Sequence, residues 1–173
     1  MFAENGEKVF MHVYWFQDSK IGHLNQVQTL LDELSKDNEL AITKIQCPER
    51  SILNWLKSFL PSAPIENQKD GVTLLIGAGH SAYPQILKTQ QTLKKTANLL
   101  SVAILKPSFN ANAFDLVCAP EHDYPSTKKP NNVHAFKGSL ATTSLIEPTP
   151  NKGIIGLGGL SKHYDFDSEL VGK

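Results

Sequence analysis

The stretch Val72-Thr73-Leu74-Leu75-Ile76-Gly77-Ala78-Gly79-His80-Ser81 decides the fold. Val72 to Ile76 is apolar apart from Thr73. A run of this kind, without polar alternation, reads as a strand covered on both faces. Gly77-Ala78-Gly79-His80-Ser81 reads as its exit loop. Beyond the loop, Tyr83, Ile86, Leu87 and Leu93 recur on one helical face, and Pro84 is tolerated in the first turn. Strand, glycine loop and amphipathic helix together form one unit of a parallel α/β sheet.

The same alternation extends in both directions. Upstream, Val9 to Phe16 reads as a buried strand and Gln17 to Gly22 as a polar loop. Leu24, Val27, Leu30, Leu31 and Leu34 then predict an amphipathic helix ending near Asp37-Asn38. Leu40 to Ile45 predicts a second strand. Ile52, Leu53, Leu56, Phe59 and Leu60 predict a short helix stopped by Pro61 and Pro64. Downstream, Leu99–Leu105, Phe114–Cys118 and Asn132–Phe136 predict three further strands. Pro148 and Pro150 flank a polar linker. Ile154–Leu157 reads as one more strand, followed by Gly158-Gly159-Leu160-Ser161. The fold class expected is α/β: a Rossmann-like parallel sheet with helices on both faces over residues 8–147. Residues 148–173 are expected to be a linker and the opening of a second α/β domain, because a lone strand–loop unit cannot bury itself.

Composition narrows the function. Forty per cent of residues are hydrophobic and 20% are charged, the balance of a globular protein with a core. The 17 basic residues cancel the 17 acidic ones, and no basic stripe carries interleaved aromatics, so nucleic acid is not expected as a partner. Cys47 and Cys118 form neither a disulfide framework nor a zinc spacing, which fits a reduced cytoplasmic compartment. Met1 to Lys8 lacks the pattern of a signal peptide, and no apolar run approaches the ~20 residues of a membrane span. The segment Trp55-Leu56-Lys57-Ser58-Phe59-Leu60 could either cover the sheet or make peripheral contact with an inner membrane or an apolar acceptor.

Ligands of parallel sheets bind beyond the carboxyl ends of the strands. The chemically unusual residues of this chain fall in those loops: Asp18, Lys20, Gly22, His23, Asn25 and Gln26 after the first strand; Gly77, Gly79, His80 and Ser81 after the third; Lys106 after the fourth; Glu121, His122 and Asp123 after the fifth. Two of these loops open helices, whose free amides and positive dipole ends suit phosphate or carboxylate. Gly77 and Gly79 would either admit a ligand to the backbone or simply make the strand-to-helix turn. His23, Glu121 and Asp123 are the candidates for proton transfer. No pair among His23, His80, Glu121, His122 and Asp123 has the helical spacing of a zinc protease, and no metal or other cofactor is expected.

Four motifs then carry a family resemblance. Asp18-Ser19-Lys20-Ile21-Gly22-His23-Leu24-Asn25-Gln26 resembles the D-G-x-x-G-H-x-x-Q loop of the "elongated mitochondria" fission-protein family, with Ser19 where that pattern usually has glycine. Leu75 to His80 resembles its second glycine loop. Phe114-Asp115-Leu116-Val117-Cys118-Ala119-Pro120-Glu121-His122-Asp123 resembles its F-D-L-V-x-A-P-E-H-D segment, and Gly158 to Tyr164 its G-G-x-S-K-x-Y stretch. Plant members of the family are implicated in mitochondrial division, and bacterial ones resemble glycosyltransferases of the two-domain GT-B type.

The resemblance implies an N-terminal half that holds a sugar or lipid-linked acceptor and the general base. His23 is the candidate for that base, with Glu121 or Asp123 as alternatives. The nucleotide-sugar donor would meet Gly158, Gly159, Ser161 and the second domain, so the 173-residue chain is expected to be silent alone. Two other readings compete: a non-catalytic adaptor acting through protein contacts, and a metal-dependent hydrolase. On the leading reading His23 starts the first helix, facing the loops at 77–81 and 119–123, where Glu121 or Asp123 could orient its ring.

Overall fold

A computed structural model of the chain describes residues 8–48, 65, 71–93, 98–124, 129–142, 147 and 149–153. The helix expected over 52–60, with the Trp55–Leu60 segment, and the strand and glycine loop expected after residue 153 lie outside the described residues.

The elements are β1 (Val9–Gln17), α1 (Ile21–Asp37), β2 (Asn38–Gln46), β3 (Val72–Ala78), α2 (Ala82–Leu93), β4 (Leu99–Ile104), β5 (Leu116–Pro120) and β6 (Val133–Phe136), with short 3-10 turns at Ala111–Ala113 and Glu121–Asp123. All six strands are parallel, in the order β2-β1-β3-β4-β5-β6. This is the α/β, Rossmann-like sheet that the alternation predicts.

Side-chain alternation on the strands sorts the core into two layers. Val13 and Trp15 of β1, Leu74 and Ile76 of β3, Val102 and Ile104 of β4 and Cys118 of β5 pack with Val27 and Leu31 of α1. Tyr14 and Phe16, Leu75, Ala103, and Val117 and Ala119 take the opposite face and pack with Tyr83 and Ile86 of α2. Burial on both faces explains the unbroken apolar run of β3, in which Leu74, Leu75 and Ile76 are all buried.

Several strand ends differ from the sequence expectation by one or two residues, and two of the differences have a physical cause in the packing. Gly77 and Ala78 belong to β3 rather than to its exit loop. Gly77 is buried there, and a Cβ on it would lie 2.7 Å from the Phe16 carbonyl oxygen and 2.9 Å from the Ala82 Cβ. Its glycine is accounted for by the close approach of Phe16 on β1 and Ala82 on α2. The fifth strand starts at Leu116, not Phe114, and runs through Pro120. Asp115 is held back from it: its carboxylate accepts the Ser101 amide and hydroxyl, both at 2.7 Å, and its own N–H reaches the Ser101 carbonyl oxygen at 3.1 Å. The clasp satisfies the fully buried Ser101 and ties the start of β5 to β4.

By compactness the chain divides into Met1–Thr142, which contains the sheet, and Thr143–Lys173.

Candidate functional site

The strand order fixes where a site can form. β2 lies on one side of β1 and β3 on the other, so the chain reverses its direction of travel across the sheet between them. At such a switch point the two exit loops diverge to opposite faces and leave a crevice at the carboxyl edge. The loops that flank it here are Asp18–Lys20, after β1, and Gly79–Ser81, after β3.

Asp18 follows β1 and is itself buried. Its Oδ1 accepts the Lys20 N–H at 3.1 Å, closing a turn two residues long that leads into α1. Its Oδ2 lies 2.6 Å from Nδ1 of His23, in the first turn of the helix. The His23 side chain is 19% exposed and that of Asp18 is 9% exposed, so the pair is shielded without being sealed. Lys20, the residue before α1, supplies no side-chain cap, and the first turn has no acidic residue. The His23 and Leu24 amides both donate to the Lys20 carbonyl oxygen, at 3.0 and 3.1 Å, which leaves the Ile21 and Gly22 amides to carry the positive end of the helix toward the loop.

Gly79 completes the arrangement from the β3 side. Its φ of +87° lies in the region that favours glycine. A Cβ here would meet His23 Nδ1 at 2.5 Å and Asp18 Oδ2 at 2.6 Å. The two glycine motifs of the sequence therefore meet in space: the missing side chain of one seats the acid–imidazole pair of the other. Gly22 is different. It is exposed, and a Cβ on it would meet nothing within 4 Å.

Tyr83 and Cys47 lie close behind. Burial pushes the Tyr83 phenol up to about 12, with the charges of Asp18, Tyr124 and Asp123 adding to the effect and a Gly79 backbone contact opposing it. Burial and then Asp18 push the Cys47 thiol up to about 12. Both groups stay protonated at neutral pH. The Tyr83 hydroxyl is directed at the carbonyl oxygens of Ile104 (2.7 Å) and Leu105 (3.0 Å), which fixes it as a strut between α2 and the end of β4.

The remaining candidates occupy their predicted loops with different partners. Lys106 donates to the Asp123 carbonyl oxygen at 2.6 Å and lies 4.9 Å from the centre of the Tyr124 ring, so it braces the loop after β5. Glu121 and His122 are exposed, and His122 Nε2 is 3.8 Å from Asp123 Oδ1. His80 is exposed, with its ring 6.0 Å from that of Tyr83, and Ser81 is half-buried beside it. Asn25 is exposed, and the Gln26 side chain turns back to the Gly22 carbonyl oxygen at 3.4 Å. Gly158, Gly159 and Ser161 lie outside the described residues.

Two sequence expectations are corrected. Neither Glu121 nor Asp123 orients the His23 ring; Asp18, expected to touch ligand, does so instead. Gly77 faces the core and not the loop. Among the described residues, no three ligating side chains converge on a metal position, and no helix is long and apolar enough to cross a membrane.

No curated protein and no solved structure matches the chain. The sequence profile described as "Mitochondrial fission ELM1" matches residues 21–173, a span that holds His23, Gly79 and the Phe114–Asp123 segment, with Asp18 just ahead of it. With most of its length covered by that match, the chain belongs to the mitochondrial fission ELM1 family.

Proposed function

We propose that this chain is the acceptor-side half of a two-domain glycosyltransferase, moving a sugar from a nucleotide-sugar donor to a hydroxyl of a cell-envelope or lipid-linked acceptor. The observation that carries the reading is the Asp18–His23 pair beside Gly79, at the topological switch point of the sheet. A partly shielded imidazole with one nitrogen tied to a carboxylate suits proton removal from a hydroxyl near neutral pH. The Ile21 and Gly22 amides at the start of α1 suit a neighbouring phosphate or carboxylate.

The chemistry balances without a cofactor. The acceptor hydroxyl gives its proton to His23 as its oxygen bonds to the anomeric carbon. The bond from that carbon to the donor's phosphate oxygen breaks, and its electron pair leaves with the nucleotide. Each turnover yields the glycosylated acceptor, the nucleotide and one proton, which the ring returns to solvent. Donor and acceptor must be held together in reacting geometry, so the second domain is required.

The test is a screen of nucleotide-sugars against a protein carrying this chain and its second domain, read as nucleotide release and sugar transfer. Release with one or a few donors is expected. A folded protein that binds none and releases no nucleotide contradicts the reading and leaves the adaptor role in its place.

A further inference from the structure

We infer that Asp18 is a positioning residue that holds the neutral His23 ring in its Nδ1–H form, so that Nε2 presents the lone pair. The part assigned to Nε2 in turnover rests on the glycosyl-transfer reading. The proton's position does not, because it is a property of the resting chain.

The geometry leaves one arrangement. A carboxylate oxygen only accepts hydrogen bonds. One oxygen of Asp18 is occupied by the Lys20 amide, and the other lies 2.6 Å from Nδ1, just below the usual range of about 2.7–2.9 Å for a charge-assisted N–H···O bond. Nδ1 must therefore carry the proton. Among the described residues the His23 ring has no second hydrogen-bond partner, so nothing there competes for Nε2. The ring is also held in place from the side. The backbone of Gly79 packs against its Nδ1–Cε1 edge, where an added Cβ would lie 2.5 and 2.7 Å from those atoms.

The same placement answers a difficulty of the site. An imidazolium formed when Nε2 takes a proton faces the positive end of α1, which opposes it. The nearby Asp18 carboxylate opposes that effect and keeps its own charge throughout. No proton needs to pass to Asp18; orientation and charge are its whole contribution, as with the acidic member of a catalytic triad.

The experiment is long-range 1H–15N correlation of the histidine side chains in the 15N-labelled chain, at about pH 8, where an ordinary histidine is neutral. The expected wild-type result is a protonated Nδ1 and an unprotonated Nε2 for His23, with the Nδ1 proton shifted downfield by its short bond. In Asp18→Asn that proton should move upfield and the Nε2–H form should grow; in Asp18→Ala the Nε2–H form should predominate. The backbone amide spectrum reports which variants stay folded, and the wild-type measurement stands by itself if neither does. A wild-type ring protonated at Nε2, or a folded Asp18→Asn with the wild-type ring signals, overturns the inference.

Kinetics on the two-domain protein separate the two claims. Asp18→Asn should lower kcat with KM unchanged, and should add nothing in a His23→Gln background. A ring protonated at Nδ1 in a protein that transfers no sugar would refute the glycosyl-transfer reading and leave the assignment of Asp18 standing.

Discussion

Replacing Gly79 by alanine strikes the fold and the candidate site at one point. Two costs follow from the structure. The residue has φ of +87°, where an L side chain is strained by about 1–2 kcal/mol. Its new Cβ would lie 2.5 Å from His23 Nδ1 and 2.6 Å from Asp18 Oδ2, and both atoms belong to short side chains anchored next to the backbone. The pair must separate, which forfeits a hydrogen bond to a charged group worth about 1.5–3 kcal/mol. Restricting the unfolded chain returns about 0.4–1 kcal/mol. The net destabilisation is about 2–4 kcal/mol, or roughly 5–15 °C in melting temperature for a domain of this size. Chemical denaturation monitored by circular dichroism measures the first effect, and the His23 ring signals report the second. Gly22→Ala is the control. Its Cβ meets nothing within 4 Å, and alanine suits a helix, so stability should hold or rise by up to about 1 kcal/mol. A Gly79→Ala protein as stable as wild type, with the His23 signals unmoved, would refute the reasoning.

Three further outcomes follow from the same contacts. Tyr83→Phe removes the hydroxyl directed at Ile104 and Leu105 and should cost about 1–3 kcal/mol in denaturant unfolding, with the sheet intact by circular dichroism. Asp115→Ala removes the carboxylate that accepts the amide and hydroxyl of the fully buried Ser101, keeping only the backbone N–H that reaches it, and should cost about 2–3 kcal/mol by the same measurement, although no ligand role is assigned to it. Tyr83 and Cys47 are held protonated in the fold, at about 12 against ordinary values of 10.0 and 9.0, so their contribution is complete below the ordinary values. It should decline as pH rises toward about 12, because the unfolded chain ionises first, and an unfolding free energy that does not fall over that interval would contradict the burial of both groups.

Much of this architecture is legible in the chain because periodicity responds directly to burial. The run at Val72–Ile76 and the stripe from Leu24 to Leu34 report a two-sided strand and a one-sided helix. Boundaries are less legible where the signal comes from small or clasping residues. Gly77 and Ala78 look like loop, yet they extend β3 by pairing with Ala103 and Ile104 of β4, and Phe16 and Ala82 leave no room for a Cβ on Gly77. Phe114-Asp115 looks like the start of a strand, yet Asp115 spends its polar groups on Ser101.

The site was half legible. Topology sends the loops after β1 and β3 to one edge, and the residue types mark them as the candidate site. The pairing of Asp18 with His23 is harder to see, since a separation of five residues is not a helical neighbour spacing. It arises because Asp18 precedes the helix and turns back on the Lys20 amide. An aspartate three residues before a helix start, followed by a histidine in the first turn, is the signal that could have found it. Glu121 and Asp123 are nearer to His23 in chemical type than in contact, and nothing in the motif itself distinguishes those two things.

The most direct test of the account is the turnover of a His23→Gln variant of the two-domain protein, measured with whichever nucleotide-sugar the wild type accepts. Loss of a general base should lower kcat by about 10²–10⁴-fold while donor binding and the amide spectrum stay as in wild type. Unchanged sugar transfer by the folded variant would show that His23 is not the base, and the proposed role of this site would fall with it.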